Sequence, residues 1–454
     1  MTIGFALFAM FFGAGNLIFP PFLGWESGEN WFIGFLCFLF LDIGMGLLAM
    51  IAIAKIGKGA EGITESLGKK VSFLLLSLTC LCIGPCIAIP RTAAITYEVG
   101  ILPNLGEISS WLCTGLFFLI SFLLSIRQSR VVDIVGKIMA PLMFAGLLAL
   151  IIKGIISPVG EMAEGIETGS VIREGLLAGY QTMDMMAACI FAIALLLTIR
   201  QKGYQEKKQQ FSMIVTAGMV ATVLLFIVYG GLAYVGATVS GSIAQRLTQP
   251  QLLILLTERL LGKPGLVLLG WIVAFACLTT SVGLLTSIAS YFEEKLHIRY
   301  EALVTGFTVV SWIISNFGTA AIISMASPVL QLIYPVLIVL ILFALLPENL
   351  RSGAACRFGA AGAFGAAFLL QAGKIFEQNI FAGLLPMADM GFGWLVPAAV
   401  CGAAGLAAAG IRGRMTPVGP DGAPAAAIEE EYGPDSEEEP DSEEEPESEV
   451  GSET

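Results

Sequence analysis

Apolar residues arrive along this chain in runs of about twenty, the length an α-helix needs to cross bilayer hydrocarbon, and short polar joints separate them. Windows of that size give about twelve spans, near residues 2–23, 31–54, 71–99, 111–126, 131–156, 171–199, 211–239, 265–292, 301–317, 321–346, 358–373 and 391–411. The pattern predicts an all-α membrane protein, because a helix satisfies its own backbone polar groups where no water reaches. The joints alternate in charge. One set holds Lys55, Lys58, Lys69 and Lys70, then Arg127 and Arg130, then Arg200, Lys202, Lys207 and Lys208. The same set continues with Lys295 and Arg299, Arg351 and Arg357, and Arg412 and Arg414. The other set is marked by Glu26 and Glu29, by Glu107, and by Glu161, Glu164 and Glu167. Basic loops stay in the cytoplasm, so both termini are expected there, in a multi-pass protein of a bacterial cytoplasmic (inner) membrane. The segment Ser242–Gly262, with Arg246 and Arg259, is the exception and is expected to lie along the membrane surface as one or two helices.

Two of the runs are interrupted. In the first, Ile3 to Phe12 meets Gly13-Ala14-Gly15-Asn16 before resuming as Leu17-Ile18-Phe19-Pro20-Pro21. Backbone exposed by such a break is tolerated at membrane depth only where protein or a polar cavity surrounds it, and broken helices near the midplane hold substrate and ions in secondary transporters. A glycine-rich packing helix is the plainer reading, but Gly13 and Gly15 are two apart rather than four, unlike the small-xxx-small pattern. The sixth run contains Gly175-Leu176-Leu177-Ala178-Gly179-Tyr180-Gln181-Thr182-Met183-Asp184. Either this is a second break lining a functional path, or Asp184 merely starts a helix at the outer surface, favoured by the dipole. The apolar run that follows, Met185 to Ile199, is short for a full crossing, which favours the break. Spans one and six occupy equivalent positions in an architecture of two inverted five-helix repeats followed by two additional C-terminal helices.

The eighth run adds Phe275-Ala276-Cys277-Leu278-Thr279-Thr280-Ser281. Ala276, Thr279 and Thr280 share one helix face through i, i+3 and i+4 spacing. Two hydroxyls beside carbonyls, with no full charge, suit a weakly held monovalent cation; the alternative is that each hydroxyl bonds its own preceding turn. Asp42 and Arg91 are further polar residues at membrane depth, open to pairing with each other or with neighbours. Gly84-Pro85-Cys86-Ile87-Ala88-Ile89-Pro90-Arg91 is a loosened stretch of the third span, either lining a pathway or only kinked.

Composition agrees with a membrane protein: 56% of the 454 residues are hydrophobic and 13% charged, with a mean hydropathy of +0.83. The net charge of −12 is concentrated in a tail that holds 15 acidic residues and no basic one after Arg414, so the remainder carries +3. Residues 1–414 are expected to form the transporter domain, and the acidic near-repeat within 415–454 to be disordered, since it has too little apolar surface to offset its ordering entropy. The nine cysteines lie mostly in apolar runs, and Cys80, Cys82 and Cys86 lack metal-site spacing, so they read as buried core. The first run lacks a basic lead and a cleavage pattern, so it is not expected to be a signal peptide. The single histidine, His297, and the lack of HExxH or GxSxG near a break argue against an enzyme. Polar residues concentrate in short stretches, unlike the continuous lining of a channel.

The segment Phe11-Phe12-Gly13-Ala14-Gly15-Asn16-Leu17-Ile18-Phe19-Pro20-Pro21 resembles the opening motif of the bacterial branched-chain amino acid:cation symporters. Ala88-Ile89-Pro90-Arg91-Thr92-Ala93-Ala94, Gly179-Tyr180-Gln181-Thr182-Met183-Asp184 and Leu278-Thr279-Thr280-Ser281 resemble segments of that family in the same order, and the likeness runs to about residue 411. The acidic tail has no counterpart there, and the short basic lead common in relatives does not precede the first span. The resemblance implies uptake of L-leucine, L-isoleucine and L-valine with sodium, by alternating access, in the fold typified by the bacterial leucine transporter. A weaker likeness to that wider sodium-coupled group implies that Gly13, Ala14, Gly15 and Asn16 receive the substrate carboxylate. It also implies that Ala276, Thr279 and Thr280 hold a sodium ion with the carbonyls of Ala9 and Phe12. Asn16 would serve a second ion or the substrate. No cofactor beyond Na+ as coupling ion is implied. Span six departs from the wider group's pattern, so the amine partner stays open among carbonyls near Gly179 and the candidates Tyr180, Thr182 and Asp184. Another small amino acid or a nucleobase on the same fold, with protons as the coupling ion and Asp184 as their carrier, is the alternative.

Overall fold

The computed structural model of the protein describes residues 2–57, 59–126, 140–201, 204, 206–243, 245–347, 351–376, 383 and 385–411. The acidic tail, the start of the fifth apolar run, and Lys58, Arg127, Arg130, Lys202, Arg412 and Arg414 fall outside those residues. Among the described residues there is no strand, and each apolar run coincides with helix.

The first run is two helices, α1 (Thr2–Phe11) and α2 (Ala14–Ser27). The second comprises α3 (Trp31–Leu39) and α4 (Met45–Ile56), joined through a widened turn at Phe40–Gly44. The third comprises α5 (Lys69–Leu81) and α6 (Ala88–Ile95). Then come α7 (Ser110–Ile126), α8 (Ala140–Ile156), α9 (Thr168–Thr182), α10 (Asp184–Gln201) and α11 (Lys207–Ala237). The last five are α12 (Gln249–Leu296), α13 (Tyr300–Ser315), α14 (Thr319–Leu345), α15 (Gly353–Ile375) and α16 (Leu395–Ile411). The surface helix expected within Ser242–Gly262 is the first part of α12. It starts on a capping box between Thr248 and Gln251 and ends at Gly262, whose φ of 64° breaks the helix. Pro264 two residues on cannot donate to the preceding turn.

Polarity is turned outward-in, as lipid requires. On α7, Leu112 and Leu116 are 68% and 59% exposed while Ser121 and Ser125 are fully buried. Water would reward the opposite arrangement; hydrocarbon rewards this one, with small polar groups inside the bundle and leucines outside.

The centre is held by close backbone approach. A Cβ on Gly24 of α2 would lie 1.8 Å from the Ala233 carbonyl oxygen of α11, and one on Gly236 would lie 1.9 Å from the Pro21 carbonyl. Neither obstacle is a flexible side chain, so relief requires the helices to separate. Gly24→Val is therefore expected to cost at least ~1–3 kcal/mol as overpacking, and to show as a large loss of monodisperse protein on size-exclusion chromatography after extraction. Wild-type yield from that variant would mean the contact can relax. Gly175 and Gly179 do similar packing: their Cβ positions would meet the Gly34 carbonyl at 2.4 Å and the Leu41 side chain at 2.7 Å. Those glycines seat α9 on the second-run helices. They do not break it.

Candidate functional site: a pocket where two interrupted helices meet

The first interruption follows from the end of α1. Phe12 still donates to the Phe8 carbonyl at 2.8 Å, but Gly13 is extended (φ −110°, ψ −167°) and α2 starts anew at Ala14. The first amides of α2 and the last carbonyls of α1 then lack helical partners and face the interior. The second interruption is a single residue. Helix α9 ends at Thr182, Met183 adopts a left-handed conformation (φ 67°), and α10 begins at Asp184. A non-glycine residue there is uncommon and marks a conformation that its surroundings impose. The expected break is thus present, at its C-terminal edge rather than across Gly175–Asp184. Asp184 is the first residue of a helix, as the plainer reading had it, but that helix start is buried inside the protein (4% exposed) and not at an outer surface.

These ends converge on one small pocket. Gly13, Ala14, Gly15, Asn16, Thr182 and Asp184 line it, with Arg91 from α6 and Thr280 from α12. Met10, Phe11, Ile83, Ala187, Phe191 and Leu284 give it an apolar side. Its volume is ≈ 30 Å³, room for about two water molecules. Gly179 and Tyr180, candidates by sequence, are not in the wall. Gly179 packs on Leu41, and Tyr180 lies against Tyr334 (ring centroids 4.7 Å apart) and Phe392 (6.1 Å). A larger cavity of ≈ 420 Å³ is lined by Arg173, Leu177, Gln331, Lys374 and Trp394, and Phe392 packs on Trp394 with ring centroids 5.6 Å apart.

Arg91 does not pair with Asp42. Its Nη1 donates to the Gln181 carbonyl at 2.6 Å and its Nη2 to the Thr182 carbonyl at 3.4 Å, so the guanidinium caps the negative end of α9. Its Nε has no hydrogen-bond partner, and the head lies 5.6 Å from the Phe19 ring centroid. Gly15 makes this possible, since a Cβ there would lie 2.7 Å from Nη2. Asn16 donates to Asp184 Oδ2 at 2.6 Å and also to the Tyr229 hydroxyl, so one amide joins α2, α10 and α11. Thr279 donates to the Ala276 carbonyl at 2.9 Å, the local bond left open by the sequence. Thr280 differs. Its buried hydroxyl has no partner and lies 3.2 Å from where a Cβ on Gly13 would be, facing the first interruption. Ala276 is buried on the same helix. Tyr229 and the apolar wall were beyond sequence reasoning, because nothing in an apolar helix distinguishes a pocket-facing residue from a lipid-facing one.

Helices interrupted in this way surround a central pocket, and the same fold occurs in solved structures. The chain is similar to a Na+-coupled sialic acid symporter in a substrate-bound outward-open state, at a TM-score of 0.59 and 16% identity over 88% of each chain. It is similar also to MhsT in complex with L-phenylalanine, at a TM-score of 0.57 and 16% identity, covering 87% of this chain and 98% of that one. At such identity the likeness shows a shared fold, that of the leucine-transporter type. The family is shown by sequence: the model of the branched-chain amino acid transport protein family matches residues 1–411, and the chain belongs to that family. Among its relatives is the branched-chain amino acid permease BraB of Bacillus subtilis (strain 168), 35% identical over 414 residues, covering 88% of this chain and 93% of the relative. This is a family of transport proteins rather than of enzymes, and its members are multi-pass membrane proteins.

Proposed function

We propose that the protein is a secondary active symporter that imports leucine, isoleucine and valine by alternating access, with sodium as the coupling ion. In this reading it crosses a bacterial cytoplasmic membrane twelve times, as two inverted five-helix repeats with broken first and sixth spans plus two C-terminal helices, and both termini are cytoplasmic. The observation that carries it is the pocket's polarity. The free amides at the start of α2 and the Arg91 guanidinium together form a positive end for a carboxylate. Asp184 opposite is an acceptor for the ammonium, and Met10, Phe11, Ile83, Ala187, Phe191 and Leu284 offer an apolar surface to the side chain. Arg91 already donates to the Gln181 and Thr182 carbonyls, which favours Asp184 as the amine partner.

A pocket of ≈ 30 Å³ is much smaller than leucine, so the lining helices must separate to admit it, and binding is tied to movement. In this reading the rings of Tyr180, Tyr334 and Phe392, tilted against one another, serve as the gate toward the larger cavity. An apolar wall discriminates by only ~1–3 kcal/mol per methylene. Leucine, isoleucine and valine are therefore expected to displace one another within about a hundredfold range when labelled leucine exchanges across proteoliposomes. Lysine or glutamate competing as well as valine would contradict the assignment.

Sodium is placed between the end of α1 and α12, held by the carbonyls of Ala9 and Phe12 with Ala276, Thr279 and Thr280. Two observations support this placement: the unpartnered Thr280 hydroxyl beside Gly13 and the shared fold with a Na+-coupled symporter. Thr280→Val keeps the shape and removes one oxygen. The loss of a bond to a charge, about 1.5–3 kcal/mol, is expected to raise the sodium concentration for half-maximal uptake roughly tenfold or more. An unchanged sodium dependence would remove Thr280 from the ion site.

A further inference from the structure

Asp42 is not among the residues that line the pocket, but it stands behind two that are, Thr182 and Asp184. It lies in the widened turn Phe40–Gly44 between α3 and α4 and is fully buried, at 0% exposure. Its side chain is in hydrogen-bonding contact with the Thr182 hydroxyl and with the Asp184 carboxyl group. No N–H reaches either of its oxygens. The other ionisable groups that face the pair are the Tyr229 and Tyr334 hydroxyls, and Arg91 acts on Asp184.

An ionised carboxylate can only accept a hydrogen bond. The contact between Asp42 and Asp184 therefore contains a proton, because two carboxylates have none to offer each other and do not both ionise side by side in a buried place. The Thr182 hydroxyl does not supply it. That group has a single proton, with the Gly179 carbonyl 2.8 Å away. The surroundings decide which carboxyl keeps the shared proton. Asp184 accepts from the Asn16 amide at 2.6 Å and lies in the field of Arg91, so negative charge on it has partners. Asp42 has neither, and an unpartnered buried charge is not sustained. With one proton in the pair, its remaining negative charge balances Arg91, and a zwitterionic substrate adds none.

We propose that Asp42 is a positioning residue: it carries the proton of the pair, donates it as a hydrogen bond to Asp184, and holds the Asp184 carboxylate charged and aimed at the substrate ammonium. The inference deepens the symporter reading and rests on it for that last role. Asn16 holds the same carboxylate from α2, so Asp184 is fixed from two sides, and the turn at Phe40–Gly44 is tied to the start of α10. The proton is resident. It stays on Asp42 while sodium and amino acid come and go.

Infrared difference spectroscopy of the purified full chain, taken without amino acid, tests the proton. The spectrum of wild type minus that of Asp42→Asn is expected to contain the C=O stretch of a protonated carboxyl group, and wild type is expected to keep that band when sodium and leucine are added. Absence of the band would overturn the proposal. So would its loss on adding sodium and leucine, which would make the proton a transported one. Should Asp42→Asn not fold, Asp184→Asn takes its place: the band is expected to shift as the acceptor changes from a carboxylate to an amide, and an unmoved band would overturn the proposal. Leucine binding tests the positioning. Asp42→Ala has no donor for Asp184 and is expected to bind leucine about tenfold or more weaker than wild type. Asp42→Asn keeps a donor and is expected to restore most of that loss; equal losses in the two variants would overturn the role. Wild type that binds no leucine at all would count against the symporter reading, while the infrared result still decides where the proton sits.

Discussion

Arg91→Ala is expected to abolish accumulation of leucine and to weaken its binding by at least ~30-fold, the low end of the ~2–5 kcal/mol that truncating one partner of a buried charged contact costs. Two losses combine in that number. The substrate carboxylate loses the guanidinium opposite the α2 amides, and the Gln181 and Thr182 carbonyls lose the donors that cap α9. Arg91→Lys separates them. Lysine keeps the charge but cannot fork across two carbonyls while presenting a further donor to the pocket, so it is expected to restore part of the binding and little of the transport. Binding of labelled leucine to purified protein, alongside size-exclusion profiles, reads both effects. Wild-type affinity in Arg91→Ala would move the carboxylate contact entirely to the α2 amides.

Asp184→Asn carries the second large effect. The substitution is isosteric, leaves α10 its first residue and removes the acceptor charge that the ammonium requires. Losing a hydrogen bond to a charged group costs about 1.5–3 kcal/mol, roughly 10- to 150-fold in apparent affinity. The Asn16–Asp184 contact, which ties α2 to α10 at 2.6 Å, loses its charge as well. Uptake is therefore expected to fall further than binding, because the two interrupted helices no longer move as one unit. Full uptake by Asp184→Asn would take the carboxylate out of the site and leave the amine without its partner.

The first interruption was legible because its signal is local: Gly13, Gly15 and Asn16 have no place in a lipid-facing helix, and the break falls at Gly13. The second was legible only as a stretch. Its glycines pointed to the wrong residues, since Gly175 and Gly179 serve packing against the second-run helices, while the turn falls on Met183, whose side chain gives no hint of a positive φ. Thr279 and Thr280 looked equivalent by spacing, yet one bonds its own helix and the other is free to face the break; that difference depends on a rotamer. Arg91 and Asp42 were legible as residues out of place in hydrocarbon. Their partners were not, because the Gln181 and Thr182 carbonyls and the Asp184 carboxylate come from elements far away in sequence, and only the packing of α6, α9 and α10 brings them together.

A sodium gradient is expected to drive a branched-chain amino acid through this pocket. This is tested most directly by uptake of labelled leucine into proteoliposomes holding the purified full chain, with an inward sodium gradient or with choline in its place, at matched pH. Accumulation above the external concentration is expected with sodium, and only equilibration with choline. Accumulation indifferent to sodium and driven instead by a pH gradient would contradict it.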